Sequence, residues 1–121
     1  MTSVNRQRIL IVENDDSILM LLRDFLSFSG YTVRTAQDGR SGLRLLEEEP
    51  FDIMITDCDM PGLNGIDLTR LGRSIKPFLF IIGMSANDKG DEFLKAGADI
   101  FISKPLRLSE LLETIKKRHS G

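Results

Sequence analysis

The chain has 121 residues, with 16 Lys and Arg against 18 Asp and Glu, for a formal net charge of −2. This is one domain's worth of sequence, with no basic excess for nucleic acid or an anionic membrane surface. A single cysteine, Cys58, excludes an internal disulfide framework, and no apolar run approaches the roughly 20 residues that cross a bilayer. Residues Met1 to Arg8 lack the apolar core of a signal peptide, so a reducing cytoplasm is the expected compartment and any output must pass through another protein or another chain.

The run Ile9-Leu10-Ile11-Val12 fits a strand buried on both faces, spanning Arg8 to Val12. It ends in Glu13-Asn14-Asp15-Asp16, where Asp15 and Asp16 read equally well as caps of the helix that follows. From Asp16 to Ser29, Ile18, Leu21, Leu22 and Phe25 fall at helical spacing, and Gly30 stops the run. Tyr31 to Ala36 alternates weakly as a second strand, and Leu43 and Leu46 give a modest helical face that ends at Pro50.

Phe51 to Gly65 is the most informative stretch. Its apolar run Ile53-Met54-Ile55 ends in the carboxylates Asp57 and Asp59, and residues that force a turn follow. Asn64 caps a helix carrying Ile66, Leu68 and Leu71, which stops before Pro77. Phe78 to Met84 is the most apolar run and the fourth strand, followed by Ser85-Ala86. A short helix from Lys89 to Ala96 closes at Gly97, and Asp99 to Ser103 makes a fifth strand before Lys104-Pro105. Leu108, Leu111, Leu112 and Ile115 define the last helix, whose basic end Lys116-Lys117-Arg118-His119 suits the negative end of the dipole.

Five strands alternating with five helices predict a doubly wound α/β domain: a five-stranded parallel sheet with helices on both faces. In such a sheet the ligand crevice lies at the carboxyl ends of the central strands, near the switch point of a 2-1-3-4-5 order. The polar strand ends are Glu13-Asn14, Asp57, Ser85 and Lys104. Carboxylates, a hydroxyl and an ammonium gathered in one crevice suit phosphoryl chemistry. A carboxylate attacks phosphorus only when the repulsion between anions is neutralised, which is work for Mg²⁺ and a lysine. On that reading Asp57 is nucleophile and metal ligand, Glu13 a second ligand, Lys104 a point charge and Ser85 a hydroxyl donor. Taken singly, each has a plainer reading: Asp57 as a turn or helix cap, Ser85 as a loop cap, Lys104 as an exposed lysine.

Together these residues resemble the receiver domain of two-component response regulators. The matches are Glu13-Asn14 at the acidic-pair position, the Asp-x-x-Met-Pro-x-x-x-Gly run from Asp57 to Gly65, Ser85-Ala86, Ala96-Gly97-Ala98-Asp99 and Lys104-Pro105. The resemblance covers residues 1–121 as a single receiver domain, with residues 1–7 and 119–121 as tails. It implies a flavodoxin-like fold. It also implies that Asp57 accepts a phosphoryl group from a histidine kinase or phosphotransfer protein, with Mg²⁺ required and a downstream effector as partner. Beyond this self-catalysed transfer and autodephosphorylation it implies no enzyme activity. By the same resemblance the backbone carbonyl of Asp59 touches the metal, the amides of Cys58 and Ala86 complete the phosphoryl cradle, and Phe101 turns inward when Ser85 is drawn to the phosphoryl group. The plainer reading of Phe101 is a fixed core residue.

Three departures from the family pattern stand out. Asn14 replaces an acid, which brings no charge to the metal and predicts weaker Mg²⁺ binding; Asp15 is the nearest substitute ligand. The separation of Ser85 from Lys104 is short by about one helical turn, a shortening expected in the fourth helix or the loop before it. Arg107 stands where a capping Asp is common, leaving Ser109 as the local cap. Two other functions fit parts of the sequence. A degenerate receiver would act as a phosphorylation-independent interaction domain, and Asp57-Cys58-Asp59 also resembles the nucleophile motif of haloacid-dehalogenase-type phosphatases. The pattern is compatible with a homodimer through the fourth-helix face, which no residue demands. It is equally compatible with a complete regulator or a piece of a longer regulator or hybrid kinase.

Overall fold

The computed structural model describes residues 7–120, with side chains through residue 118. Its elements alternate throughout: β1 (Arg8–Val12), α1 (Asp16–Phe28), β2 (Thr32–Ala36), α2 (Gly39–Glu48), β3 (Ile53–Asp57), α3 (Gly65–Ile75), β4 (Phe80–Ser85), α4 (Gly90–Ala96), β5 (Ile100–Ser103) and α5 (Leu108–Ser120). All strand pairs are parallel, in the order β2-β1-β3-β4-β5, so the order reverses between β1 and β3 as predicted.

Alternation along the strands sorts the core into two layers. Ile9, Ile11, Ile53, Ile55, Ile82, Met84 and Ile102 face α1 and α5, packing on Leu19, Leu22, Leu26, Leu111 and Ile115. Leu10, Val12, Met54 and Ile81 face the other way, against Leu46, Leu68 and Phe93 of α2, α3 and α4. Burial of each large aliphatic side chain stabilises by roughly 1.5–3 kcal/mol, so the central strands are held from both faces. That rigidity is what fixes the residues at their carboxyl ends.

Several expected boundaries move. On α1 the buried residues are Leu19, Leu22 and Leu26, whereas Leu21 is 55% exposed. Ile18 and Phe25 are only partly buried, because the unbroken Leu19-Met20-Leu21-Leu22 run allows more than one helical phase and packing on the sheet selects it. Leu71 is likewise exposed on α3, where Gly72 takes the close contact with Leu46. Phe78 lies outside β4 and is 97% exposed, since the Leu79 amide bonds back to the Lys76 carbonyl and the chain is still turning there. Tyr31 and Asp99 precede their strands rather than open them.

At the termini, Gln7 is buried and its carbonyl accepts the Thr32 amide, so it belongs to the fold rather than to a tail, and α5 continues through Ser120. Residues 1–6 and 121 lie outside the described residues. Because α5 begins at Leu108, Ser109 sits inside its first turn and does not cap it. Helix α4, at seven residues, is the shortest of the five. Among the described residues no helix is long and apolar enough to cross a membrane.

Candidate functional site

Strand parity explains which side chains meet. Glu13 continues the Ile9-Ile11 series one step past β1, Asp57 ends the Ile53-Ile55 series of β3, and Lys104 follows Ile100-Ile102 of β5. All three therefore point to the α1/α5 side at the carboxyl edge. Lys104 Nζ lies 2.9 Å from Glu13 Oε1 and 2.9 Å from Asp57 Oδ1. The peptide bond from Lys104 to Pro105 is cis, and the Lys104 amide bonds the Ser85 carbonyl at 2.9 Å, which ties the end of β5 to the end of β4.

The cluster is sheltered: Glu13 is 1% exposed and Lys104 18%. Burial by itself pushes the Lys104 ammonium toward deprotonation. The hydrogen bonds and charges of Asp57 and Glu13 outweigh that push, and its pKa stands above the usual lysine value. Glu13 uses its second oxygen to accept the Asp15 amide at 3.0 Å. Asp15 in turn caps α1, accepting the amides of Ser17 and Ile18, and Asp16 accepts from Gln37. Asp15 Oδ1 is thereby engaged at the helix start. Asn14 is exposed at the rim.

Ser85 falls on the opposite parity, with Ile81 and Gly83, facing α4. It is fully buried, and its hydroxyl accepts the Asn87 amide at 3.0 Å rather than reaching Asp57. Asn87 was not anticipated from the sequence. It links the two rims, its Nδ2 reaching Asp59 Oδ2 at 3.5 Å, and its one sequence signal was a polar residue two places past a strand end. Phe101 pairs in register with Gly83 on β4 and is partly buried, 5.7 Å from the Phe93 ring between centroids. Phe93 fills the space over Gly83, where a Cβ would lie 2.3 Å from its ring.

The loop after Asp57 is built on a close backbone approach. A Cβ on Gly65 would stand 1.8 Å from the Asp57 carbonyl oxygen, and the Gly65 amide bonds the Cys58 carbonyl at 2.9 Å. Gly62, at φ 77°, takes the left-handed turn. Thr56, buried and also missed in the sequence, donates its hydroxyl to the Asp57 carbonyl at 2.9 Å. The Cys58 amide is engaged by the Met84 carbonyl at 3.0 Å, and burial, aided by Asp59 and Asp57, pushes its thiol up to about 11. Ala86 is exposed at the end of β4.

Among the described residues no group of three or more His, Cys, Asp or Glu side chains is placed to hold a metal. The donors that meet at the crevice are the carboxylates of Glu13 and Asp57, and the exposed Asn14 follows Glu13 in the chain. That set fits Mg²⁺, which takes one or two carboxylates and keeps several waters, better than an ion needing a closed protein cage.

A 2-1-3-4-5 parallel sheet carrying a lysine-bridged acidic pair at its switch point defines a CheY-like module of the flavodoxin fold. The chain belongs to the response regulator receiver domain family, whose profile matches residues 9–116. It is 40% identical over 112 residues to the response regulator MprA of Mycolicibacterium vanbaalenii, covering 90% of this chain and 48% of that protein. The chain thus spans about half the length of the curated relatives it matches. Among solved structures, it resembles a CheY-like receiver domain protein from Methanospirillum hungatei, with a TM-score of 0.90, 33% identity and 94% of each chain covered. It also resembles response regulator protein TrrA from Thermotoga maritima in complex with Mg²⁺–BeF, with a TM-score of 0.85, 30% identity, and 92% and 97% of the two chains covered. Membership in the receiver family decides against the dehalogenase-type reading of Asp57-Cys58-Asp59.

Proposed function

We propose that this chain is a phosphorylation-switched receiver whose acceptor is Asp57. The observation that carries the proposal is the Lys104 ammonium held between Asp57 and Glu13. This half-buried counter-charge offsets the repulsion that would keep a carboxylate from an anionic phosphoryl donor. Asp57 Oδ attacks the phosphorus of a phosphohistidine on a histidine kinase or phosphotransfer protein. The P–N bond breaks and the imidazole leaves with its electron pair. Glu13, Asp57, the Asn14 amide oxygen and the Asp59 carbonyl would hold Mg²⁺, which when bound neutralises charge on the phosphoryl oxygens. The likeness to a receiver solved with Mg²⁺–BeF supports that assignment.

Lys104 then serves as a point charge on the transferred group. Ser85 leaves the Asn87 amide to donate its hydroxyl to a phosphoryl oxygen, and the amides of Ala86 and Cys58 complete the cradle, the latter shared with the Met84 carbonyl. Withdrawal of Ser85 frees space on the α4 side, and Phe101 turns into it. The result is a shift between two populations of the α4, β5 and α5 face, which a downstream effector reads. A cytoplasmic location goes with this role.

The exposed Asn14 and the two-carboxylate metal set favour one competing reading, a receiver that acts without phosphorylation. Incubation with Mg²⁺ and a small acyl phosphate separates the two. An acid-stable, base-labile adduct that decays slowly is expected for the phosphoacceptor. No adduct from acyl phosphate or from a phosphohistidine donor would establish the phosphorylation-independent module instead.

A further inference from the structure

One side chain of α3 holds the carboxyl end of α4. Arg73 places all five guanidinium N–H donors. Nε and Nη2 reach the Gly97 carbonyl at 3.0 and 2.8 Å, Nη1 the carbonyls of Pro77 and Leu79 at 2.8 and 2.7 Å, and Nη2 also Asp99 Oδ2 at 2.8 Å. The same Asp99 oxygen accepts the Ile81 amide at 2.9 Å, which joins this corner to β4. Gly97, at φ 117°, leaves room for the Arg73 stem; a Cβ there would stand 3.0 Å from Arg73 Cγ.

The other end of α4 is held differently. Lys89, its N-cap, makes no side-chain capping bond. Gly90 rests on Phe101, whose Cδ2 would lie 3.2 Å from a Cβ at that position. Between the two ends, buried Phe93 seats the helix over Gly83. The helix is therefore bolted at Gly97, seated at its middle and loosely capped where it meets the switch residue.

We propose that Arg73 is a positioning residue that makes the Gly97 end of α4 a fixed pivot, so that movement of Phe101 is passed on as a swing of the Gly90 end. The swing rests on the phosphoacceptor reading above; the pivot does not. A planar fork with five donors fixes several carbonyls at once, and a lysine, with one compact ammonium, keeps the charge but not that geometry. The face presented by α4 would accordingly change most near its amino end.

Amide hydrogen exchange on the whole chain tests both halves. Before any treatment, Arg73→Lys is expected to speed exchange at Gly97 and Ala98 by about tenfold, while Ile11 in β1 and Ile55 in β3 keep wild-type rates. Asp99→Asn, a milder change, should give the same pattern more weakly. Wild-type rates at Gly97 and Ala98 in Arg73→Lys, or equal acceleration in β1 and β3, would overturn the pivot. After treatment with acyl phosphate and Mg²⁺, wild type should change at Phe93, whose amide bonds the Lys89 carbonyl, and not at Gly97. Equal changes at both would overturn the swing. If no adduct forms, the phosphoacceptor reading and the swing both fall, and the untreated comparison still decides the pivot.

Discussion

Lys104 Nζ lies 2.9 Å from Glu13 Oε1, joining residues 91 apart in the chain, and the same nitrogen holds Asp57 Oδ1 at 2.9 Å. Replacing Lys104 by Met leaves two sheltered carboxylates without their counter-charge. The expected loss is about 3 kcal/mol in metal-free urea denaturation at neutral pH. The folded-state pKa of Lys104 is raised above its ordinary 10.5, so its contribution is complete below that value and is lost as pH rises through the raised one. The gap between wild type and Lys104→Met should therefore stay level from neutral pH to about 10 and close only in stronger alkali. A gap that closed between neutrality and mild alkali would contradict the geometry.

The loop after the acceptor depends on two glycines for different reasons. At Gly65 a Cβ would collide with the Asp57 carbonyl at 1.8 Å, whereas at Gly62 it meets nothing, and the obstacle is φ 77° alone. Gly65→Ala should cost about 3 kcal/mol and disturb Asp57 itself, lowering adduct formation. Gly62→Ala should cost about 1–2 kcal/mol and leave the acceptor reactive. Thermal melts paired with phosphorylation assays distinguish the two; equal effects on reactivity would be inconsistent with the close approach at Gly65.

Asp38 caps α2, its carboxylate accepting the Ser41 amide at 2.8 Å, and that bond chiefly holds its pKa below 3.8. Asp38→Ala should lose about 1 kcal/mol at neutral pH. Because the folded value is depressed, the contribution is present above 3.8 and lost as pH falls through the lower folded value. Stability curves of the two proteins should converge only in strong acid, and convergence near neutrality would rule out the cap as the cause.

Much of this was legible in the sequence because strands have an unambiguous period. Once Ile9-Ile11, Ile53-Ile55 and Ile100-Ile102 are read as one face, Glu13, Asp57 and Lys104 follow on the same side. The helices were harder. Leu19-Met20-Leu21-Leu22 supports several phases, and only the sheet decides that Leu19 is buried and Leu21 exposed. Phe78 failed for a related reason, since an apolar residue beside a strand is not thereby in it. The links made by Arg73 and Asn87 join distant segments through hydrogen bonds, and hydrophobic periodicity carries no trace of them.

On the proposed function, Asn14 is the residue that would set the affinity for Mg²⁺. Asp15, the neighbouring acid, uses Oδ1 to cap α1. Asn14→Asp should bind Mg²⁺ more tightly, by about tenfold, in a calorimetric titration. Equal affinities would show that the amide does not weaken binding.

On the proposed function, Asp57 accepts the phosphoryl group. Intact-protein mass spectrometry after incubation with acyl phosphate and Mg²⁺, followed by borohydride reduction and peptide mapping, tests it most directly. One phosphoryl group per chain is expected, mapped to Asp57 and absent from Asp57→Asn. An adduct that persists in Asp57→Asn, or maps to Asp59 or Glu13, would contradict it.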